Sequence, residues 1–481
     1  MRKTTMMFLI ILALMLGGTC LAAVKLYDSH DKVTLTEVTS WGNKNSLEDL
    51  SMQLNMTYKD QLRWTTVVPM DNVGKAETEY DFSLTPVYAD LDRDDGLSMD
   101  LSIDTSLVQD KIWQGKADGI AKAYEELANT IGPNEEAETE IYLKDYIDYY
   151  QYTIQLELPG TDIYRWKSMY KKGVVQKQED YAMEKLSDFF KIPVLEEERC
   201  SISVGKNGQG NIYHTGSGTG EGDFFYMWTF NALAEDTLYF TFDTHSRDGV
   251  VMDTSLIPGG YGIYSLPYDG TLEGSEENAD RISVDVDGLK MVYSLDPEID
   301  VLHLHLNGKK DKLLLHAEEN GEYVVTVIDA ATMETLQKIS IMDWSLDYGY
   351  QIYEKSDFMV ATVHKVQEEG RIEAVVLEEK ESGEYEVAFI SEIQNKNIPS
   401  FNTSSMYLDF NGKCLAMAGF LEEEAQGYRT TCNIFLAVCN ADGMQYYGEY
   451  RNSLETGYDE DNYYYHCQGY GWEPIVLEWR E

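Results

Sequence analysis

Apolar and polar residues alternate with a period of two over much of the chain, the pattern of half-buried strands. From about Val33 to Ile103 the alternation falls into KVTLTEVT, DLSMQLNMTY, LRWTTVV, ETEYDFSL and GLSMDLSI, separated by Asn, Asp and Gly. This predicts antiparallel sheet. A helical period follows. Ile120, Tyr124, Leu127 and Ile131 make one stripe that ends at Gly132-Pro133, with Thr105 or Ser106 as N-cap and Gly115 and Gly119 weakening its first half. In the Tyr-rich stretch EIYLKDYIDYYQYTIQLEL, Tyr142, Tyr146, Tyr150 and Tyr152 share parity, so a continuous strand there would carry an aromatic row. Ala182, Leu186 and Phe189 mark a second short helix that stops at Pro193.

Beyond about 195 the pattern is almost purely strand and turn. In RISVDVDGLKMVY, Asp287-Gly288 is a two-residue turn signature. Folding about it pairs Val286 with Leu289, Val284 with Met291 and Ile282 with Tyr293. Three later segments resemble one another, beginning at Leu313, Phe358 and Cys414, a pitch of 45 and then 56 residues. Each is an apolar strand, an acidic turn, a second apolar strand, another turn and a third strand. Each is preceded by a further short strand, VLHLHL, YQIY and SMYLDF. Four strands recurring at roughly 40–50 residues are the pattern of propeller blades. One such sheet cannot bury both its faces, so blades stack around an axis.

Within the first repeat, VTVIDAATMETLQ resembles the strand, Asp, turn, strand step of quinoprotein-type β-propeller blades, with Asp329 and Thr332 at its Asp and Thr positions. Met333 and Leu336 stand near where that repeat has Gly and Trp, so the resemblance implies the β-propeller fold and no quinone cofactor. The chain is also similar to acidic, Tyr-rich, membrane-tethered proteins of Gram-positive bacteria to which no chemistry is assigned. The fold expected is mainly β: a propeller-like array of four-stranded blades over 196–481, after an N-terminal β-rich α+β region with two short helices over 25–195. N-terminal strands could supply a further blade, and the final EPIVLEW strand could complete an early one.

Composition adds the sign of the charge. Against 38 Lys+Arg stand 84 Asp+Glu, a net of −46, which repels phosphate backbones and argues against nucleic acid as a partner. After Arg2 and Lys3 no charge occurs from Thr4 to Val24, so 1–24 reads as a signal peptide or membrane anchor with the bulk of the chain outside. If uncleaved, 4–24 is the membrane contact; if cleaved after Ala22, the protein is secreted. The sequence before Cys20 departs from a lipoprotein acceptor. Cys200, Cys414, Cys432, Cys439 and Cys467 show no CxxC spacing that would suggest zinc or redox work; buried free thiols are expected, with one local bridge among the last four, its pairing unreadable from sequence, as the alternative.

His303, His305 and His316 are the first candidate cation site. Turning the chain at Gly308-Lys309 pairs Leu304 with Leu313 and Leu302 with Leu315, and places all three imidazoles on one face, His316 diagonal to His303. Histidines satisfied between blades are the plainer reading. Asp90, Asp92 and Asp94 alternate as the first ligands of a calcium loop do. Gly96 stands one place late, however, and Leu101 occupies the twelfth position, so a solvated acidic turn is the alternative. Gly208 to Gly222 is glycine-rich without a phosphate-loop ending and reads as a surface loop. The clusters DYIDYYQY and DNYYYHCQGYGW fit strand packing or sugar stacking.

No Gly-x-Ser-x-Gly or His-Glu-x-x-His motif occurs, and no catalytic residues are assigned. The expectation is therefore a cell-surface or secreted binding protein, its partner a protein or cell-wall polymer, with a divalent cation as the one cofactor considered. A carbohydrate-active enzyme, hydrolase or lyase, is the alternative. It would need carboxylates converging at the propeller mouth.

Overall fold

A computed structural model describes residues 7, 15–18, 20, 34–58, 62–82, 96–101, 108–150, 152–157, 185–219, 228–243, 251–269, 283–345, 348–355, 358–365, 371–394, 406–421, 433–453, 458–459, 462–463 and 475–480. Asp90, Asp92 and Asp94 lie outside the described residues, as does most of the 4–24 stretch. Among the described residues no helix is long and apolar enough to cross a membrane.

The fold is a β-propeller built of antiparallel sheets, five of which have four or more strands among the described residues. Blade 1 comprises Leu50–Tyr58, Leu62–Pro69 and Glu77–Phe82, with the C-terminal Ile475–Trp479 added along Leu50–Tyr58. Blade 2 is Thr229–Leu233, Thr237–Phe242, Gly262–Asp269 and Lys290–Ser294, with the short Ser283–Val284 also on Gly262–Asp269. The repeat units recognised by their pitch are blades 3 to 5. Blade 3 is Asp300–Leu306, Lys312–Glu319, Glu322–Asp329 and Thr335–Asp343. Blade 4 is Tyr348–Glu354, Phe358–Lys365, Arg371–Glu379 and Tyr385–Gln394. Blade 5 is Tyr407–Phe410, Leu415–Phe420, Asn433–Asn440 and Gly443–Asn452, with Leu35–Gly42 as an outer fifth strand.

The middle strands of a blade are apolar on both faces because each face meets a different neighbour. In Lys312–Glu319, Leu313 and Leu315 pack with Phe240 and Tyr264 of blade 2, while Leu314 between them joins Met359 and Val375 of blade 4. In blade 4, Val360 and Val376 turn the other way to Met417 and Phe435 of blade 5. Ala416, Leu436 and Val438 of blade 5 then meet Met52, Leu54 and Val68 of blade 1. Strand pairing thus runs across position 195, since N-terminal strands complete blades 1 and 5.

The remaining N-terminal elements cover blade 2. Glu136–Tyr142, Arg199–Lys206 and Ile212–Thr219 form a three-stranded sheet. Against it packs helix α2 (Ile120–Ala128), which follows the short α1 (Val108–Trp113). One helix was expected here, and Gly115 and Gly119, both at positive φ (63° and 50°), divide it into two. Tyr124 of the expected stripe is fully buried and donates its hydroxyl proton to the Gly216 carbonyl at 3.0 Å. A further helical turn at 185–189 buries Leu186 and ends before Pro193.

Three local expectations are corrected. The Tyr-rich stretch is not one strand. Leu143, 2% exposed, is drawn into the core, and its carbonyl accepts the N–H groups of Tyr146 and Ile147. The chain therefore turns at Leu143–Asp145, and Tyr152–Glu157 pairs elsewhere, with Gly96–Leu101. The Asp287-Gly288 hairpin does not form either. The Asp285 carboxylate accepts the Gly288 N–H and winds Val286–Gly288 into a 3-10 turn, and both arms pair with Gly262–Asp269 instead of each other. Finally, the glycine-rich segment is mostly strand: Asn207 caps a tight turn with its side chain, and Ile212–Thr219 continues the sheet.

Candidate metal centre on the axial cleft

The inner strands of blades 1, 3, 4 and 5 line a common cleft of about 440 Å³. His303 lies on its wall with residues 352–355 of blade 4, 406–408 of blade 5 and 475–477 of blade 1. Inner strands converging on one space define the axial channel of a propeller. Around it Asp300–Leu306 touches Thr229–Leu233, which in turn touches Gly96–Leu101.

His303 and His305 reach one face through a bulge. Leu302 is the extra residue between the pairs Val301–Ala317 and His303–His316, so Leu302 and His303 both turn toward blade 4 while Leu304 packs toward blade 2. The expected register is shifted by two residues: Leu304 pairs with Leu315 and Leu306 with Leu313. The turn is longer than Gly308-Lys309 alone. The Asn307 side-chain oxygen accepts the N–H groups of Asp311 and Lys312, both at 3.0 Å, and Lys310 takes a left-handed φ of 56°. A shift of two preserves the faces. His316 therefore stands directly opposite His303 rather than diagonal to it, and the three rings cluster with centroids 5.0 to 5.9 Å apart.

Blade 4 supplies the residue that sequence reasoning missed. Glu354, at the end of its first strand, brings Oε1 to 2.5 Å from His303 Nε2 and 3.7 Å from His305 Nδ1. Glu354 lies 51 residues beyond His303, and no local spacing connects them. Aligning the first strands of successive repeats is the signal that could have found it. The potential ligand atoms of His303, His305 and Glu354 all lie within 4.8 Å of one another.

The two outer groups are open to the cleft and the inner ones are sealed. His303 and Glu354 side chains are 28% and 41% exposed, whereas His305 is buried. His316 is fully buried, its Nδ1 hydrogen-bonded to the Tyr323 hydroxyl at 2.7 Å. Burial pushes His305 down to about 4, against the opposing pull of Glu354, and drives His316 well below the usual imidazole value. Burial also raises Glu354, but its hydrogen bond to His303 and the favourable electrostatics of the neighbouring His305 and His303 outweigh it and hold the carboxyl low. At neutral pH His305 and His316 are thus neutral imidazoles beside the Glu354 carboxylate, and a neutral imidazole and a carboxylate are the forms in which His305 and Glu354 can ligate a metal. Among the described residues His305 Nδ1 and His316 Nε2 have no hydrogen-bond partner. Two imidazoles and a carboxylate form a donor set for a divalent transition metal.

No protein-family model and no curated protein matches the chain. Solved structures similar to it include the β-propeller domain of Cps50 (Swd1) from Myceliophteria thermophila, at 9% identity over 55% of this chain and 93% of that one, TM-score 0.22. The Dos1 propeller is similar at 11% identity over 57% and 72%, TM-score 0.27. The propeller domain of the trilobed protease from Pyrococcus furiosus, described as having an open velcro topology, is similar at 12% identity over 53% and 66%, TM-score 0.22.

Proposed function

We propose that this protein is a binding propeller of the cell exterior, secreted or tethered through residues 4–24, whose partner, a protein or a wall polymer, inserts a group into the axial cleft. The observation that carries the reading is the cleft itself. It is walled by the inner strands of blades 1, 3, 4 and 5, with His303, Glu354 and Lys355 as polar groups among Ile352, Met406 and Leu408. A concave space with convergent polar groups set among apolar side chains is a common form of ligand site. Its described lining contributes one carboxylate, Glu354. Two-carboxylate glycoside chemistry needs a second beside it, so binding is preferred to hydrolysis.

The experiment places a photo-crosslinking benzoylphenylalanine at Tyr407 in the cleft wall and, as control, at Trp113, which is 62% exposed and away from the cleft. Both full-length variants are irradiated in intact cells. The reading expects an adduct from Tyr407 alone, removed by protease added outside the cells. Equal adducts from both positions overturn the cleft as the site. An adduct protected from protease overturns the location.

A further inference from the structure

We infer that His303, His305 and Glu354 together bind a divalent transition metal of the zinc class, with one coordination position open to the axial cleft. Both imidazoles aim at the same oxygen. Glu354 Oε1 is 2.5 Å from His303 Nε2, a hydrogen bond, and 3.7 Å from His305 Nδ1, which is too far for one. Ligands at about 2.0–2.1 Å from a tetrahedral ion stand about 3.3 Å from each other. The two separations to Glu354 bracket that value and all three ligand atoms lie within 4.8 Å of one another, so side-chain rotations can seat an ion between the three groups.

The unpartnered nitrogens argue for the ion over a plain His–Glu pair. A hydrogen bond between His303 and Glu354 satisfies those two residues and leaves His305 Nδ1, 5% exposed as a residue, with no hydrogen-bond partner among the described residues. A buried polar atom left this way carries a desolvation cost that nothing repays. An ion ligated by His305 Nδ1 removes that cost and uses a ring already fixed against His316, whose plane lies 20° from its own. His316 in turn is held by the Tyr323 hydroxyl. Preorganised rings behind an exposed carboxylate form a site that is rigid at its back and open at its front. The fourth position faces the cleft because His303 and Glu354 are the members of the trio on its wall. There an ion would accept an oxygen or nitrogen atom of a ligand. That last role rests on the binding reading above; the ion itself does not.

The test uses the full chain stripped of metal by chelation, then titrated with zinc against a chromophoric chelator and with cobalt followed by visible absorption. Because 84 acidic residues offer zinc a diffuse background of carboxylates, the comparison is with Glu354→Gln, which keeps the shape, and with His305→Ala. The expected result is one tight equivalent per chain with a ligand-field cobalt spectrum, and binding weakened more than about 100-fold in Glu354→Gln. Identical zinc affinity in wild type and Glu354→Gln, or no equivalent tighter than the diffuse background, overturns the site. Should His305→Ala fail to fold, Glu354→Gln and the cobalt spectrum still decide. No cleft ligand is present in this experiment, so its failure leaves the crosslinking result untouched, and the reverse.

Discussion

Trp479 donates its backbone N–H to the Asp409 carboxylate at 2.8 Å and its ring N–H to the Asp409 carbonyl at 3.4 Å. The last strand of the chain, already paired with Leu50–Tyr58 of blade 1, is thereby tied to the first strand of blade 5. The tie spans 70 residues of sequence and holds the strand added to blade 1 against blade 5. Asp409→Ala removes a charge-assisted acceptor and is expected to lower stability by about 1.5–3 kcal/mol. The check is the urea midpoint together with proteolysis at the C-terminus, which speeds up if the closing strand frays.

Blades 3 and 4 are joined by a polar clamp centred on Glu379. Its side chain, 6% exposed, accepts hydrogen bonds from Lys312 at 2.8 Å and Lys309 at 3.1 Å, and Lys312 also reaches the Gly383 carbonyl at 2.5 Å. Lys312→Met leaves the carboxylate short of a partner and is expected to destabilise by about 1.5–3 kcal/mol, read from the urea midpoint.

The same clamp carries a pH dependence. Burial pushes the Glu379 carboxyl up, but the hydrogen bonds from Lys312 and Lys309 outweigh it and hold it below its ordinary 4.5. The unfolded chain therefore binds the proton more readily than the folded one. The stabilisation is complete above the ordinary carboxyl value and is lost as pH falls through the lowered one. Measured from about pH 5 to about pH 3, the fall in stability of wild type should be steeper than that of Glu379→Gln. Equal slopes would mean the clamp does not couple to protons.

Much of this architecture is legible in the chain because propeller strands carry their own period. The blade 3 strands Lys312–Glu319 and Glu322–Asp329 are apolar runs bounded by acidic turns, and the pitch from Leu313 to Phe358 repeats the unit. The Asp329 turn also follows its resemblance: one carboxylate oxygen accepts the N–H groups of Ala331 and Thr332 and the Thr332 hydroxyl. Met333 takes a left-handed φ of 57°, a conformation that glycine adopts without strain. What the sequence hides is set by tertiary contact. Leu143 breaks the Tyr-rich strand by entering the core, and Gly262–Asp269 outcompetes the hairpin about Asp287-Gly288. Glu354 meets His303 only because two blades stack.

The register of the histidine pair depends on the turn at Asn307–Asp311, where Lys310 sits at φ 56° with its side chain exposed. A left-handed conformation costs an L-residue roughly 1–2 kcal/mol, and glycine avoids it at the expense of greater freedom in the unfolded chain. Lys310→Gly is expected to stabilise by about 0.5–1 kcal/mol. A destabilisation instead would mean that the exposed lysine makes an attraction stronger than the backbone strain.

The thiols give a test of burial that is independent of the site. Cys200 and Cys439 are 1% and 0% exposed, and burial pushes their thiols up to about 11 and about 12. Cys414 is only partly covered, and burial raises its thiol as well. Since the thiolate is the reacting form, both access and ionisation protect the two buried groups. Iodoacetamide added to the native chain at neutral pH should alkylate Cys414 well before Cys200 and Cys439, as read by peptide mass mapping, and urea should bring the three rates together. Rapid native alkylation of Cys439 would mean that blade 5 opens from the blade 4 face on the timescale of the reaction, because Cys439 is packed in the cluster shared with Val360 and Val376.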